Sequence, residues 1–201
     1  MRVIAGTAKG VPIRFPKGAP TRPATELVRG AIFSMLAAAG ADMSRVLDLF
    51  SGSGSLGIEA LSRGAGFVDF VDRDHRACAI IRENLARVRL AEWAKVHCQD
   101  VSMALTSLAD NSGDVGGYGV VLMDPPYADR AIGNVITKLA DSKLISNETI
   151  VVINHSVRFN LEESYGPLVR QRELRHGDSV IAVYRKCVAG LTAQGVTTSD
   201  E

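Results

Sequence analysis

The apolar run at 120–123 ends in Asp124-Pro125-Pro126-Tyr127. Two prolines fix the chain there, so that a carboxylate, a main-chain carbonyl and an aromatic ring converge at one strand end. Asp124 and the Pro125 carbonyl can each accept one N–H of a planar exocyclic amine, while Tyr127 stacks on the ring that carries it. A nitrogen held in this way is positioned for attack on an electrophilic carbon and is drawn towards pyramidal geometry, with no covalent enzyme nucleophile.

A second constellation precedes it. In Asp48-Leu-Phe-Ser-Gly-Ser-Gly-Ser-Leu-Gly57 the spacing G-x-G-x-x-G follows an apolar run. Glycines between a strand end and a helix start let the backbone turn tightly and approach a ligand. Asp72, followed by Arg73, stands 20 residues after Gly52, where a carboxylate can bond ribose hydroxyls. Asp100, with Val101 beside it, follows a further apolar run and can meet an adenine amine, and Asp48 can meet a cationic amino group. The loop, Ser51, Gly52, Ser53 and Gly54, fits two cofactors. NAD(P) would set its pyrophosphate at the helix N-terminus, whereas S-adenosylmethionine would use the same turn for its methionine and ribose portions.

The elements that position these residues follow from hydrophobic periodicity. Strands are expected at 45–50, 67–71, 94–98, 118–123 and 149–154, alternating with helices near 55–63, 75–90, 101–109 and 130–141. That is a doubly wound α/β sheet, mostly parallel. Two strand-like runs at 168–175 and 179–185, joined by His176-Gly177-Asp178, add an antiparallel hairpin and bring the sheet to seven strands. A short hairpin (RVIAG, VPIRF) and a helix capped by Thr25 come first. The expected division is an N-terminal extension at 1–40, a catalytic domain at 41–186 and a disordered tail at 187–201.

Composition narrows the class. Apolar residues at 46% and charged residues at 22% describe a globular, not a disordered, chain. No apolar run of membrane-spanning length appears, and MRVIAGTAKG has no apolar h-region of the kind a secretory signal needs, so a cytoplasmic location is expected; a monomer is expected as well. Cys78, Cys98 and Cys187 have no disulfide or zinc spacing, and the four histidines are scattered, so no metal is expected. Net charge is only +1, but Arg2, Lys9, Arg14, Lys17, Arg22 and Arg29 face the single acid Glu26 in the first 30 residues. Such an arm suits a nucleic-acid backbone, and equally a solvated face.

DLFSGSGSLGIEALSRGA, VDRD and DPPY, preceded by MRVIAGTAKG and RPATELVRGAIFSML, resemble the bacterial small-subunit ribosomal RNA guanine-N2 methyltransferases of the RsmD type, over roughly residues 1–186. The loop and DPPY are shared by many amino-methyltransferases. The Arg22 to Phe33 pattern, RP-x-T-x-x-VR-x-x-x-F, is the part specific to the family. The resemblance implies a class I methyltransferase fold of Rossmann type, S-adenosylmethionine as donor, and one guanine of 16S ribosomal RNA in an assembling small subunit as acceptor. It assigns the donor to Ser51 through Gly54, Asp72, Asp100 and Val101, and the base to Asp124, Pro125 and Tyr127. It also places Arg22, Thr25 and Arg29 near the cofactor or RNA mouth. The sequence departs from the pattern at Asn154, where relatives often carry a glutamate, and at His176, where a tyrosine is common. His155 is then a candidate to assist proton removal.

Three alternatives remain from the residues themselves. An adenine-N6 methyltransferase would use the same DPPY. An NAD-dependent oxidoreductase would explain the loop but not DPPY. A non-catalytic assembly factor would need none of the acids intact.

Overall fold

The computed structural model describes residues 1–15, 24–111, 117–126 and 132–187. Lys17, Arg22, Tyr127 and the expected tail beyond Cys187 lie outside them. The helix α1 (Glu26–Ala38) precedes an alternation of β1 (Arg45–Leu49), α2 (Ser55–Ser62), β2 (Phe67–Asp72), α3 (His75–Val88), β3 (Ala94–Cys98), α4 (Val101–Asn111), β4 (Tyr118–Met123), α5 (Ile132–Ala140) and β5 (Ile145–Ser156). The short β6 (Ser164–Tyr165) leads into the hairpin β7 (Leu168–His176) and β8 (Ser179–Lys186).

Local chemistry explains the boundaries. Thr25 caps α1 by accepting from Val28 N at 3.2 Å, and Asp74 caps α3 by accepting from Arg76 N at 2.8 Å. Along α3 the buried positions Ala77, Cys78, Ile81, Asn84, Leu85 and Val88 recur at helical spacing. All six residues of β4 are buried, as a central strand covered on both faces requires.

The strands lie in the order β3-β2-β1-β4-β5-β8-β7-β6. β1 to β5 pair in parallel, and β8 runs antiparallel between β5 and β7. The order reverses between β1 and β4, the switch point outside which such sheets bind ligands at their carboxyl ends. The eighth strand is β6, which two residues are too short to announce in the sequence.

Two apolar layers sandwich the sheet. One carries Val3, Ile13, Val28, Ile32, Leu56 and Ile81, so residues 1–15, α1, α2 and α3 share it. The other carries Leu105, Ile136 and Leu139 from α4 and α5. The N-terminal hairpin is looser than expected. A single antiparallel bridge joins Arg2 and Pro12, held by Val3 N on Val11 O and Ile13 N on Met1 O, both at 3.0 Å, before Gly6, at φ +82°, turns the chain onto α2. A Cβ at Gly6 would strike the Ser62 carbonyl. The N-terminal segment therefore docks by backbone contact, with Glu59 accepting from Ile4 N at 2.8 Å and Ala5 N at 3.0 Å.

Candidate active site

The loop after β1 is built around a buried carboxylate. Ser51 N bonds Val71 O at 3.1 Å, Gly54 N bonds Ser51 O at 2.7 Å, and Gly52 and Gly54 take φ of 56° and 76°, a region that favours glycine. Phe50 also has a positive φ, 58°, a strained conformation for a bulky residue. Gly57 is required for a different reason. A Cβ there would lie 2.3 Å from the Phe70 ring and 2.9 Å from Asp48 Oδ2.

Asp48 accepts from Gly57 N at 2.9 Å through Oδ2, while its Oδ1 is buried with no partner among the described residues. Burial pushes its carboxyl up to about 8. The Gly57 N–H opposes the shift, and the charges of Asp124 and Asp72 reinforce it. The Ser51 hydroxyl donates to Asp48 O at 2.6 Å and accepts from Val71 N at 2.9 Å, so it braces the turn from within. Ser53 is buried, and its carbonyl accepts from Asn84 Nδ2 at 3.0 Å.

Asp72 has a role the sequence did not suggest. Its Oδ2 accepts from Gly52 N at 2.7 Å and its Oδ1 from Asp74 N at 2.8 Å, so it ties the glycine loop to the end of β2. Arg73 beside it is exposed. Asp100 is exposed and accepts from Ser102 N at 2.8 Å, as an N-cap of α4, with Val101 buried behind it.

Asp124 leaves β4 at the switch point. Its Oδ1 accepts from Asn154 Nδ2 at 2.8 Å and its Oδ2 from Ala24 N at 3.3 Å. Burial raises its carboxyl to about 6, against both donors. Pro125 is buried and Pro126 half-buried. The structure thus brings Asp124 and Asp72 within electrostatic reach of Asp48 and leaves Asp100 beyond the outer strand β3. A carboxylate oxygen without a partner beneath a glycine turn fits a ligand that brings a cation, as the ammonium of S-adenosylmethionine would.

Asn154 and His155 alternate along β5, so they face opposite sides of the sheet. His155 therefore lies behind Asp124, against Pro125, Pro126 and Phe159. Its Nδ1 lies 3.0 Å from Ser156 O, and burial lowers its pKa while the backbone carbonyls of Ser156 and Phe159 oppose. A role for it in taking a proton at Asp124 is not favoured by this placement.

The basic arm divides. Arg2, Lys9 and Arg14 are exposed, although Arg2 Nη1 donates to Gly10 O at 2.9 Å and Arg14 pairs with Glu83 at 3.2 Å. Arg29 is a correction. It is fully buried, donates to Arg2 O at 2.7 Å and cannot reach a phosphate on a partner's surface. Burial lowers its pKa against the charges of Glu59 and Glu26. It holds the arm instead, together with Glu59, Ser62 and Asn84. The sequence did carry a signal for two of these: Glu59 interrupts the apolar SLGIEALS, and Asn84 falls on the buried stripe of α3.

Comparison with known proteins agrees with this architecture. YlbH of Bacillus subtilis, named "Putative rRNA methyltransferase YlbH", is 36% identical over 186 residues, 92% of this chain and 99% of its own length. Ribosomal RNA small subunit methyltransferase D of Escherichia coli is 28% identical, over 100% of this chain and 94% of its own. The solved structure titled "Putative methyltransferase yhhF from Escherichia coli" superposes with a TM-score of 0.74 at 26% identity, over 93% of this chain and 98% of its own. The family model described as Conserved hypothetical protein 95 matches residues 1–185, and the chain belongs to that family of methyltransferases.

Proposed function

We propose that this protein transfers a methyl group from S-adenosylmethionine to the N2 amine of a guanine in small-subunit ribosomal RNA. The observation that carries the reading is Asp124, fixed at the switch point by Asn154 Nδ2 and Ala24 N and coupled to the buried acid under the glycine loop. The names of the relatives support the substrate class, and the intact loop supports the donor.

When bound, S-adenosylmethionine supplies an electrophilic methyl on its sulfonium. The chain's own residues do the rest. Asp48 would hold the amino group of the methionine portion at its bare Oδ1, and a cation there would favour the ionised form of its carboxyl. Asp72 holds Gly52, and with it the turn that would receive the ribose. Asp124 is mainly ionised at neutral pH, given its value of about 6, and accepts one N–H of the target amine while Pro125 O accepts the other. Tyr127 supplies a stacking face for the base. These contacts fix the nitrogen before transfer, which is where most of the rate gain lies in a reaction without a covalent intermediate. Because the target amine is hidden by pairing in a duplex, the base must be unstacked to reach Asp124.

The test is product identity. Small-subunit ribosomal RNA and particles from cells lacking this modification are incubated with the protein and labelled S-adenosylmethionine, then digested to nucleosides for mass spectrometry. N2-methylguanosine is expected. N6-methyladenosine would redirect the site to adenine, and absence of any methylated nucleoside would refute the reading.

A further inference from the structure

A second concavity opens at the same end of the sheet, on the face opposite Asp124. It is a cleft of about 370 Å³, within the range of small-molecule sites. Its polar and aromatic lining comes from His155 near the end of β5, from Phe159 and Asn160 just after it, and from Arg170, Glu173 and Arg175 of β7. The register places it. His155 pairs with Val180 and Val180 with Arg175, so Arg175 stands two strands from β5, roughly 10 Å across the sheet. The cleft also shares His155, Phe159 and Leu161 with the small cavity beneath Pro125 and Pro126. It therefore begins directly behind the residues that hold the target amine.

Three features give this cleft a ligand chemistry. The charge of Arg170 is committed, since it pairs with Glu173 at 2.9 Å and donates to Leu161 O at 3.2 Å. That pairing neutralises Glu173, so among the described residues of the cleft Arg175 is left as the uncompensated cation. Arg175 uses Nε on Gly177 O at 3.2 Å, and its two terminal nitrogens have no partner among the described residues, a fork that matches a phosphate. Phe159 is half-buried and meets His155 edge-on, with ring centroids 6.5 Å apart. The Ser156 carbonyl can only accept, so His155 Nδ1 carries the proton in the neutral ring and Nε2 is an acceptor. That Nε2 is buried and has no partner among the described residues, which is costly unless a ligand supplies a donor.

Building on the ribosomal RNA reading above, we propose that this cleft holds a nucleotide next to the target guanine in the same RNA strand, its base against Phe159 and its phosphate at Arg175. The strand crosses the carboxyl edge of the sheet, with the target on the Asp124 side and its neighbour on the His155 side. Such a subsite helps to keep the target base unstacked, because the neighbour has an aromatic partner of its own.

The experiment compares steady-state methylation of ribosomal RNA or particles by the wild type, R175E, R185E, F159L and F159W, with calorimetric S-adenosylmethionine affinity as the control for folding. Arg185 lies on the same hairpin but pairs with Ile150 and Val169, at the far end of the sheet. R175E is expected to raise KM for RNA about tenfold with kcat within about twofold, and to reduce the salt slope of binding by about 1. R185E leaves both unchanged. F159L raises KM about fivefold and F159W restores it, a rescue that a merely structural role for this ring does not predict. Wild-type KM and salt slope in R175E, or equal behaviour of F159L and F159W, overturns the subsite while the methyltransferase reading stands. A wild type that methylates no ribosomal RNA overturns both together.

Discussion

Asp69 and Asp48 sit on adjacent strands, are 3% and 1% exposed, and differ in how fully they are satisfied. Asp69 receives His97 Nε2 at 2.7 Å, the Tyr118 hydroxyl at 2.8 Å and Arg45 Nη2 at 3.2 Å. Burial pushes its pKa up, but these three partners outweigh it and hold the carboxyl below its ordinary value. Asp48 receives one backbone N–H and keeps one oxygen bare, and its pKa rises to about 8. Asp69 is complete within the fold, whereas Asp48 keeps an oxygen bare and Asp124, with one donor on each oxygen, has room for each to accept one more. Buried charge marks a site only where its hydrogen bonding is unfinished.

The largest effect that can break this contrast is at Asp124. Replacing it with alanine removes an acceptor that acts on the reacting nitrogen, so methylation is expected to fall at least about a thousandfold, with RNA affinity within about twofold of wild type. Single-turnover rates alongside an RNA-binding titration check this. Retained turnover would remove Asp124 from the site. A parallel collapse of RNA affinity would instead make it a structural residue of the Asp69 kind.

Asp69 and Asp48 can then be set against each other by the same substitution to asparagine. D69N strips a buried partner set of its anion and is expected to cost about 3 kcal/mol of stability, with S-adenosylmethionine affinity unchanged. Because the folded Asp69 carboxyl is depressed, its contribution is present above the unfolded value of about 3.9 and is lost as pH falls through the folded value. Asp48 has the opposite sign. Its folded carboxyl titrates at about 8, so the unfolded chain binds fewer protons and wild-type stability declines as pH rises from about 4 towards 8. D48N removes that decline, and the melting temperature should exceed wild type by a few degrees at pH 8 and by little at pH 4. The same variant should lose about tenfold in cofactor affinity, and wild-type affinity should strengthen from pH 6 to 8 as Asp48 gives up its proton more readily. Denaturation and calorimetry across that range decide it. Equal stability profiles for D48N and wild type would mean that Asp48 is satisfied after all.

Periodicity and residue type made much of this legible. The parallel strands, the G-x-G-x-x-G turn, Thr25 as a cap and the antiparallel β7–β8 hairpin all follow from local pattern. The roles of individual acids did not, because Asp48, Asp72, Asp100 and Asp124 look alike as letters after strands and are separated only by which N–H groups the folded chain sends them. Arg29 misled for the same reason. It belongs to a basic run in sequence but occupies the buried stripe of α1 beside Val28, Ile32 and Phe33. The cleft at Phe159 was illegible because it joins the segment after β5 to a strand of the C-terminal hairpin, and only the β5–β8–β7 register brings those together.

The smallest effect concerns Asn154, where the chain carries an amide instead of an acid. Its Nδ2 donates to Asp124 and favours the ionised carboxylate, one of two donors that oppose burial. N154A removes that donor and leaves the burial, so the Asp124 pKa should climb from about 6. The acid limb of kcat/KM should move up with it by less than about one pH unit. Near pH 6.5 the variant should be slower than wild type by up to about threefold, and near pH 8.5 the two should nearly converge. N154D should move the limb further, because a second carboxylate disfavours the first by charge as well as by the lost donor. A uniform loss at every pH would show that Asn154 acts only by aiming Asp124. A shift confined to the acid limb would show that the amide tunes its proton, which is why an uncharged residue can stand at this strand end without loss of the chemistry.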